Sequence, residues 1–349
     1  MFPAGGVSVS HFYYTARERR VKTAPGHFGV AKTSATIDDF LLLMSKTAFL
    51  FPGQGSQFAG MGKSLAEAFP EAARIFEAAD EALGFPLSRL CFEGPEEQLK
   101  LTENQQPALL TVSAAAHAVL RAREVRADYV AGHSLGEYSA LVAAKSLDFA
   151  DAVRLVQKRG RYMQEAVPAD VGAMAALLKL PDGALDRILA EAAQGEVVAA
   201  ANLNSPDQIV IAGHARAVSR AMELAKAAGA RRAIPILVSA PFHCPLMEPA
   251  QARLKADLDA TEFRDLETPL INNWQAREIR TGAEAREGLY WQVPNPVRWS
   301  DSIRELARRG VTRFIEVGAR GVLTGLLRNI DPSFEGMKFG EAADWEKLK

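Results

Sequence analysis

The sequence predicts an α/β protein: a large domain with a mostly parallel sheet, interrupted by a small inserted domain of ferredoxin-like order. Three observations carry this. Across residues 44–171 and 240–330, short apolar runs alternate with amphipathic helical stretches, as strands joined by crossover helices do. Within them, the apolar run Tyr129-Val130-Ala131 enters Gly132-His-Ser-Leu-Gly136 and leaves as Glu137–Lys145, rich in helix formers, so a strand turns sharply into a helix. Residues 172–239 instead read strand, helix, strand, strand, helix, strand.

In chain order, residues 1–43 hold no lasting periodicity. Arg17, Arg19, Arg20, Lys22 and Lys32 outnumber the acids Glu18, Asp38 and Asp39 there. A disordered extension is expected, with Met44 opening the domain. Residues 47–51 read as a buried first strand, followed by the two-glycine turn Pro52-Gly-Gln-Gly-Ser56. That loop lacks the lysine of a phosphate-binding P-loop, so it is read as a backbone-donor loop. Helices are expected over 61–82, 107–123 and 148–165. The insert's strands fall at 174–178, 197–202, 208–213 and 233–237, its helices at 182–193 and 215–228. Beyond it come a proline-bounded loop at 239–247, a helix to about 259, a strand at 269–273, a polar loop at 288–299, a helix at 300–309, a strand at 313–317 and a helix at 321–329. Residues 331–349 are expected to form a C-terminal tail.

Composition narrows the function classes. The 349 residues are 48% hydrophobic and 24% charged, ordinary for a globular chain. A net charge of −1 gives no general electrostatic case for nucleic acid. Two cysteines, Cys91 and Cys244, argue against a disulfide framework and fit a reducing cytoplasm. No apolar run approaches the ~20 residues of a membrane span.

The chemistry centres on Ser134. Gly132-x-Ser134-x-Gly136 between strand and helix is the nucleophile-elbow pattern, which lifts a hydroxyl out of the sheet. A serine capping a helix is the competing reading, and the strand before the motif favours the nucleophile. A serine needs an adjacent base. Of six histidines, His11 and His27 lie in the leader, His117 reads as a packed core residue, His214 as a surface turn, and His133 as part of the elbow. His243, on the proline-bounded loop, is the candidate base. The group orienting it stays open: either an acid not identifiable from sequence or a neutral carbonyl. Arg159 reads as either a carboxylate ligand or part of a solvated basic face with Lys158 and Arg161.

Five collinear motifs carry a family resemblance: Phe51-Pro-Gly-Gln-Gly-Ser-Gln57, Gly132-His-Ser-Leu-Gly-Glu-Tyr-Ser-Ala-Leu141, Gln157-Lys-Arg-Gly-Arg-Tyr-Met-Gln164, Ala240-Pro-Phe-His243 and Asn295-Pro-Val-Arg-Trp299. Over about residues 46–330 the chain resembles malonyl-CoA:acyl carrier protein transacylases of bacterial type II fatty-acid synthesis, and so an α/β-hydrolase-like large domain. The resemblance implies malonyl transfer from malonyl-CoA to the phosphopantetheine thiol of acyl carrier protein through a malonyl-serine. It implies Ser134 as nucleophile, His243 as base and the Gln292 carbonyl orienting the imidazole. The amides of Gln54 and Leu135 would form the oxyanion hole, Arg159 would pair with the malonyl carboxylate, and Met163 and Phe242 would line the acyl pocket. It also implies a cytoplasmic monomer with no metal or redox cofactor and no nucleic-acid or membrane partner. Cys244 stands where serine is commoner in the family.

Overall fold

The computed structural model describes residues 45–168 and 170–349; the expectation of a disordered segment at 1–43 lies outside them. The chain runs through β1 (Lys46–Phe51), α1 (Lys63–Ala68), α2 (Pro70–Leu83), α3 (Leu87–Glu93), α4 (Glu96–Leu99), α5 (Thr102–Ala122), β2 (Tyr129–Gly132), α6 (Leu135–Ala143) and α7 (Phe149–Glu165). A second layer follows: β3 (Gly172–Leu178), α8 (Ala184–Ala193), β4 (Val198–Ser205), β5 (Gln208–His214), α9 (Ala215–Ala227) and β6 (Arg232–Ile236). The chain then returns through α10 (Glu248–Ala260), β7 (Leu270–Ile271), β8 (Glu278–Ile279), α11 (Gly282–Gln292), α12 (Trp299–Arg308), β9 (Val311–Val317), α13 (Val322–Ile330) and β10 (Glu335–Phe339).

Two sheets result. The larger has the order β10-β9-β1-β2-β7-β8 and is parallel except for the last pair. The smaller, β4-β5-β3-β6, is antiparallel throughout, with its first strand between the third and the fourth. This is the ferredoxin-like arrangement expected from the element order. The central strand β1 is apolar on both sides because both sides are covered. Phe49 and Phe51 enter the core that contains α5, while Ala48 and Leu50 enter the one containing α12 and α13.

Three expectations are corrected. The helix expected over 61–82 is broken at Phe69, which is extended (φ −134°) ahead of Pro70 at the first position of α2. Proline disfavours a helical residue before it and suits a helix start. The loop expected at 288–299 is helical up to Gln292, and Thr281 with Glu284 forms the capping box that starts α11. Residues 331–349 are not a free tail. They supply β10, which pairs in register with β9 from Glu335↔Arg313 to Phe339↔Val317, and Phe339 is fully buried with its ring edge-on to Trp345. Met337 and Phe339 alone alternate there, too short a pattern to read as a strand.

β1 and β2 lie side by side with Phe51 opposite Gly132, so the turn after β1 and the turn after β2 emerge together. The chain later crosses to β9 on the other side of β1 and continues outward to β10, so the turn after β1 also borders the switch point between β1 and β9, where parallel sheets bind ligands. Contact there is too close for a side chain. A Cβ on Gly132 would sit 1.9 Å from the Gly136 carbonyl oxygen, and one on Gly136 would sit 2.0 Å from that of Phe51. Gly136→Ala is therefore expected to destabilise the protein by at least about 2 kcal/mol. Gly325→Ala, in α13 with nothing within 4 Å of the added carbon, should be neutral or stabilising by up to about 1 kcal/mol. Urea unfolding of both variants checks the contrast; equal effects would contradict it.

Candidate active site

Ser134 occupies the turn between β2 and α6 with φ 51° and ψ −107°, a conformation that costs free energy in a non-glycine residue. Side chains from elsewhere hold it there. Its amide donates to Asn273 Oδ1 at 2.7 Å, while Asn273 Nδ2 donates to the Gly132 carbonyl at 2.7 Å. One asparagine, just past β7, thus grips the backbone on both sides of His133. The His133 ring is engaged elsewhere, bonding Asn204 Oδ1 at 2.8 Å and meeting Trp299 edge-on.

The Ser134 hydroxyl lies 2.6 Å from His243 Nε2, and His243 Nδ1 lies 3.0 Å from the Gln292 carbonyl oxygen. A carbonyl only accepts, so the ring proton sits on Nδ1 and leaves Nε2 free to accept from the serine. Of the two options open for orienting the imidazole, the neutral carbonyl is the one present. Burial, and then the nearby Arg159 charge, push the His243 pKa down to about 3. The imidazole is held neutral, as a proton acceptor must be.

Arg159 comes from α7, whose first turn is capped by Asp148 accepting from the Ala150 amide at 2.9 Å. The helical period turns Lys158 outward, where it pairs with Asp257 at 2.6 Å, and turns Arg159 inward to 1% exposure. The reading of Arg159 as part of a solvated face fails on that burial. Its guanidinium donates to Gln106 Oε1 (2.8 Å), Gln292 Oε1 (2.9 Å) and the Ser134 hydroxyl (3.2 Å), beside the Tyr138 ring. Burial lowers its pKa, opposed by the charges of nearby groups. Among the described residues Arg159 has no direct carboxylate partner.

These groups open into a cleft of about 750 Å³ whose walls include Gln54, Ser134, Arg159, Met163, Phe242 and His243. Leu135 is buried at the start of α6, and Gln292 stands behind the cleft as the last residue of α11. The loop bearing Gln54 abuts the elbow, since a Cβ on Gly53 would lie 2.4 Å from the His133 carbonyl oxygen. Neither the Gln54 nor the Leu135 amide has a hydrogen-bond partner among the described residues. Of the other histidines, His117 packs edge-on against Phe49 and Phe51, and His214 ends β5, accepting from the Val197 amide at 2.9 Å rather than lying on a surface turn. No group of three metal-ligating side chains occurs among the described residues.

Sequence reasoning missed Gln106, Glu137 and Asn273. Gln106 and Glu137 lie within apolar helices, and Asn273 closes an expected strand; a buried polar residue in each place was the only signal.

A family profile for the acyl transferase domain matches residues 48–338. A malonyl CoA-acyl carrier protein transacylase of Bacillus subtilis (strain 168) is 52% identical over 289 residues, 82% of this chain and 91% of that protein. One from Escherichia coli (strain K12) is 48% identical over 82% of this chain and 93% of its own length. Among solved structures, an acyl carrier protein S-malonyltransferase of Vibrio cholerae superposes with a TM-score of 0.86 at 44% identity, covering 87% of this chain and all of that one. A malonyl-transacylase solved in complex with a type II PKS acyl-carrier protein superposes at 0.85 with 43% identity, covering 87% of this chain and 98% of that one. By a profile spanning most of its length and relatives near half identical to it, this chain belongs to the acyl transferase domain family, among the malonyl CoA-acyl carrier protein transacylases.

Proposed function

We propose that the protein transfers a malonyl group from malonyl-CoA to the phosphopantetheine thiol of an acyl carrier protein, through a malonyl ester on Ser134. The observation that carries this reading is a buried guanidinium reaching the same hydroxyl as the base. In the first half-reaction His243 Nε2 takes the Ser134 proton as the oxygen attacks the thioester carbon. The carbonyl oxygen of the tetrahedral intermediate rests on the amides of Gln54 and Leu135, each such donor contributing about 3 kcal/mol. The intermediate collapses, the C–S bond breaks, and the imidazolium returns its proton to the CoA sulfur. In the second, His243 takes the proton of the incoming thiol, the thiolate attacks the ester, and the proton goes back to Ser134 Oγ. Gln292 holds the ring through its carbonyl, and Met163 and Phe242 wall the acyl group. The serine and histidine suffice for these steps without a cofactor.

Arg159 sets the acyl specificity. A planar guanidinium matches a carboxylate in a bidentate pair. The malonyl carboxylate takes up donors otherwise turned to Ser134. An acetyl group leaves a buried charge without an anion, which is costly. A thioester hydrolase on the same elbow has no use for such a group.

Two outcomes test the reading. Arg159→Ala should lower kcat/KM for malonyl-CoA on the order of 10²-fold while leaving acetyl-CoA transfer equal or faster, and Arg159→Lys should recover only part of the loss. Equal losses for both thioesters would make the arginine a general structural residue. The second outcome concerns pH. With its pKa held near 3, His243 stays neutral from pH 8 to 5, and only a fall toward pH 3 protonates it. An NMR titration of the His243 ring in the free protein should therefore show no step in that range. A midpoint near the ordinary 6.5 would contradict the buried, cation-flanked base.

A further inference from the structure

Glu137 lies one turn beyond the nucleophile on α6 and is fully buried, yet no step above uses it. Its Oε2 accepts from Gln292 Nε2 at 2.7 Å and from the Asn273 amide at 3.1 Å. The opposite end of the same Gln292 amide, Oε1, accepts from Arg159. We infer that Glu137 is a positioning residue for acyl selectivity: it fixes the Gln292 amide so that the amide oxygen faces, and aims, the Arg159 guanidinium.

A glutamine amide has an accepting end and a donating end of nearly the same shape. Glu137 Oε2, already accepting from the Asn273 backbone N–H, acts as an acceptor, and a guanidinium only donates. With Glu137 on one side and Arg159 on the other, one orientation satisfies both contacts. The reverse would set oxygen against carboxylate and N–H against guanidinium. Gln292 Nε2 also reaches the Ser134 carbonyl at 3.0 Å, a further acceptor that enforces the same orientation.

The indirectness matters. Were Glu137 paired directly with Arg159, it would compete with a substrate carboxylate for the same donors. With the amide between them, and Gln106 supplying a second neutral acceptor, the guanidinium is oriented by dipoles and keeps its charge for the ligand. Glu137 also touches the elbow twice removed, since it accepts from the amide of Asn273, whose side chain holds Ser134.

This inference rests on the proposed malonyl specificity, and the test separates the two. The readout is the ratio of kcat/KM for malonyl-CoA to that for acetyl-CoA, with circular dichroism and thermal melting as the check of folding. Glu137→Gln keeps an oxygen for Gln292 and Asn273 and should hold the ratio within about threefold of wild type. Glu137→Met keeps the length but cannot accept these bonds; the ratio should fall on the order of tenfold or more, chiefly through malonyl-CoA. Gln292→Met, which keeps the carbonyl under His243 but removes the amide, should lower the ratio similarly. The double variant Glu137→Met/Gln292→Met should lower it no further, as expected of groups acting in series. An unchanged ratio in a folded Glu137→Met or Gln292→Met protein overturns the inference. So does a ratio lost in Glu137→Gln, which would mean that charge rather than the hydrogen bond acts. If Glu137→Met does not fold, the Glu137→Gln and Gln292→Met arms decide. A wild type without preference for malonyl-CoA would defeat the proposed specificity instead.

Discussion

The site depends on holding one serine in a backbone conformation that its own preferences oppose. At φ 51° Ser134 lies outside the regions favoured by residues with a Cβ, and the molecule compensates locally. Asn273 bonds the chain on both sides of His133, Gln292 accepts no rotation of its amide, and two glycines let β2, α6 and the end of β1 approach to within a carbon's width. The base is fixed by the same parts, because the residue whose side chain braces Ser134 also offers its carbonyl to His243.

Two electrostatic demands meet in this space. Under the proposed function, the imidazole has to stay neutral to accept a proton, while a guanidinium beside it has to stay charged to bind an anion. Burial and the arginine together satisfy the first, driving the His243 pKa down. The second is met by surrounding Arg159 with amide oxygens and leaving the carboxylate of Glu137 one residue away, where burial raises its own pKa to about 7. Both Nη atoms of this buried cation have neutral partners, while Nε has none among the described residues and no carboxylate matches the charge, which under the proposed function leaves it poised for an anionic substrate group.

Much of this was legible in the sequence where a local rule applies. The glycine spacing around Ser134, the apolar run before it and the alternation of the insert each follow from short-range sterics or periodicity. The elbow, the parallel sheet and the ferredoxin-like order were accessible for that reason. Arg159 was ambiguous because its neighbours are basic; only the angular position on α7 separates it from Lys158 and Arg161. Glu137, Asn273 and Gln106 were not accessible, since their significance comes from partners more than a hundred residues away for the first two and about fifty for the third. The edge strand β10 was missed for the converse reason: its pairing with β9, not its pattern, makes it a strand.

The central claim is that Ser134 carries the malonyl group between two thiols. Intact-protein mass spectrometry after brief exposure to malonyl-CoA tests it most directly, followed by addition of phosphopantetheinylated acyl carrier protein. The account predicts one malonyl adduct, mapped to the peptide containing Ser134, absent from Ser134→Ala, and discharged onto the carrier protein. An adduct that persists in Ser134→Ala, or one released only to water, would contradict it.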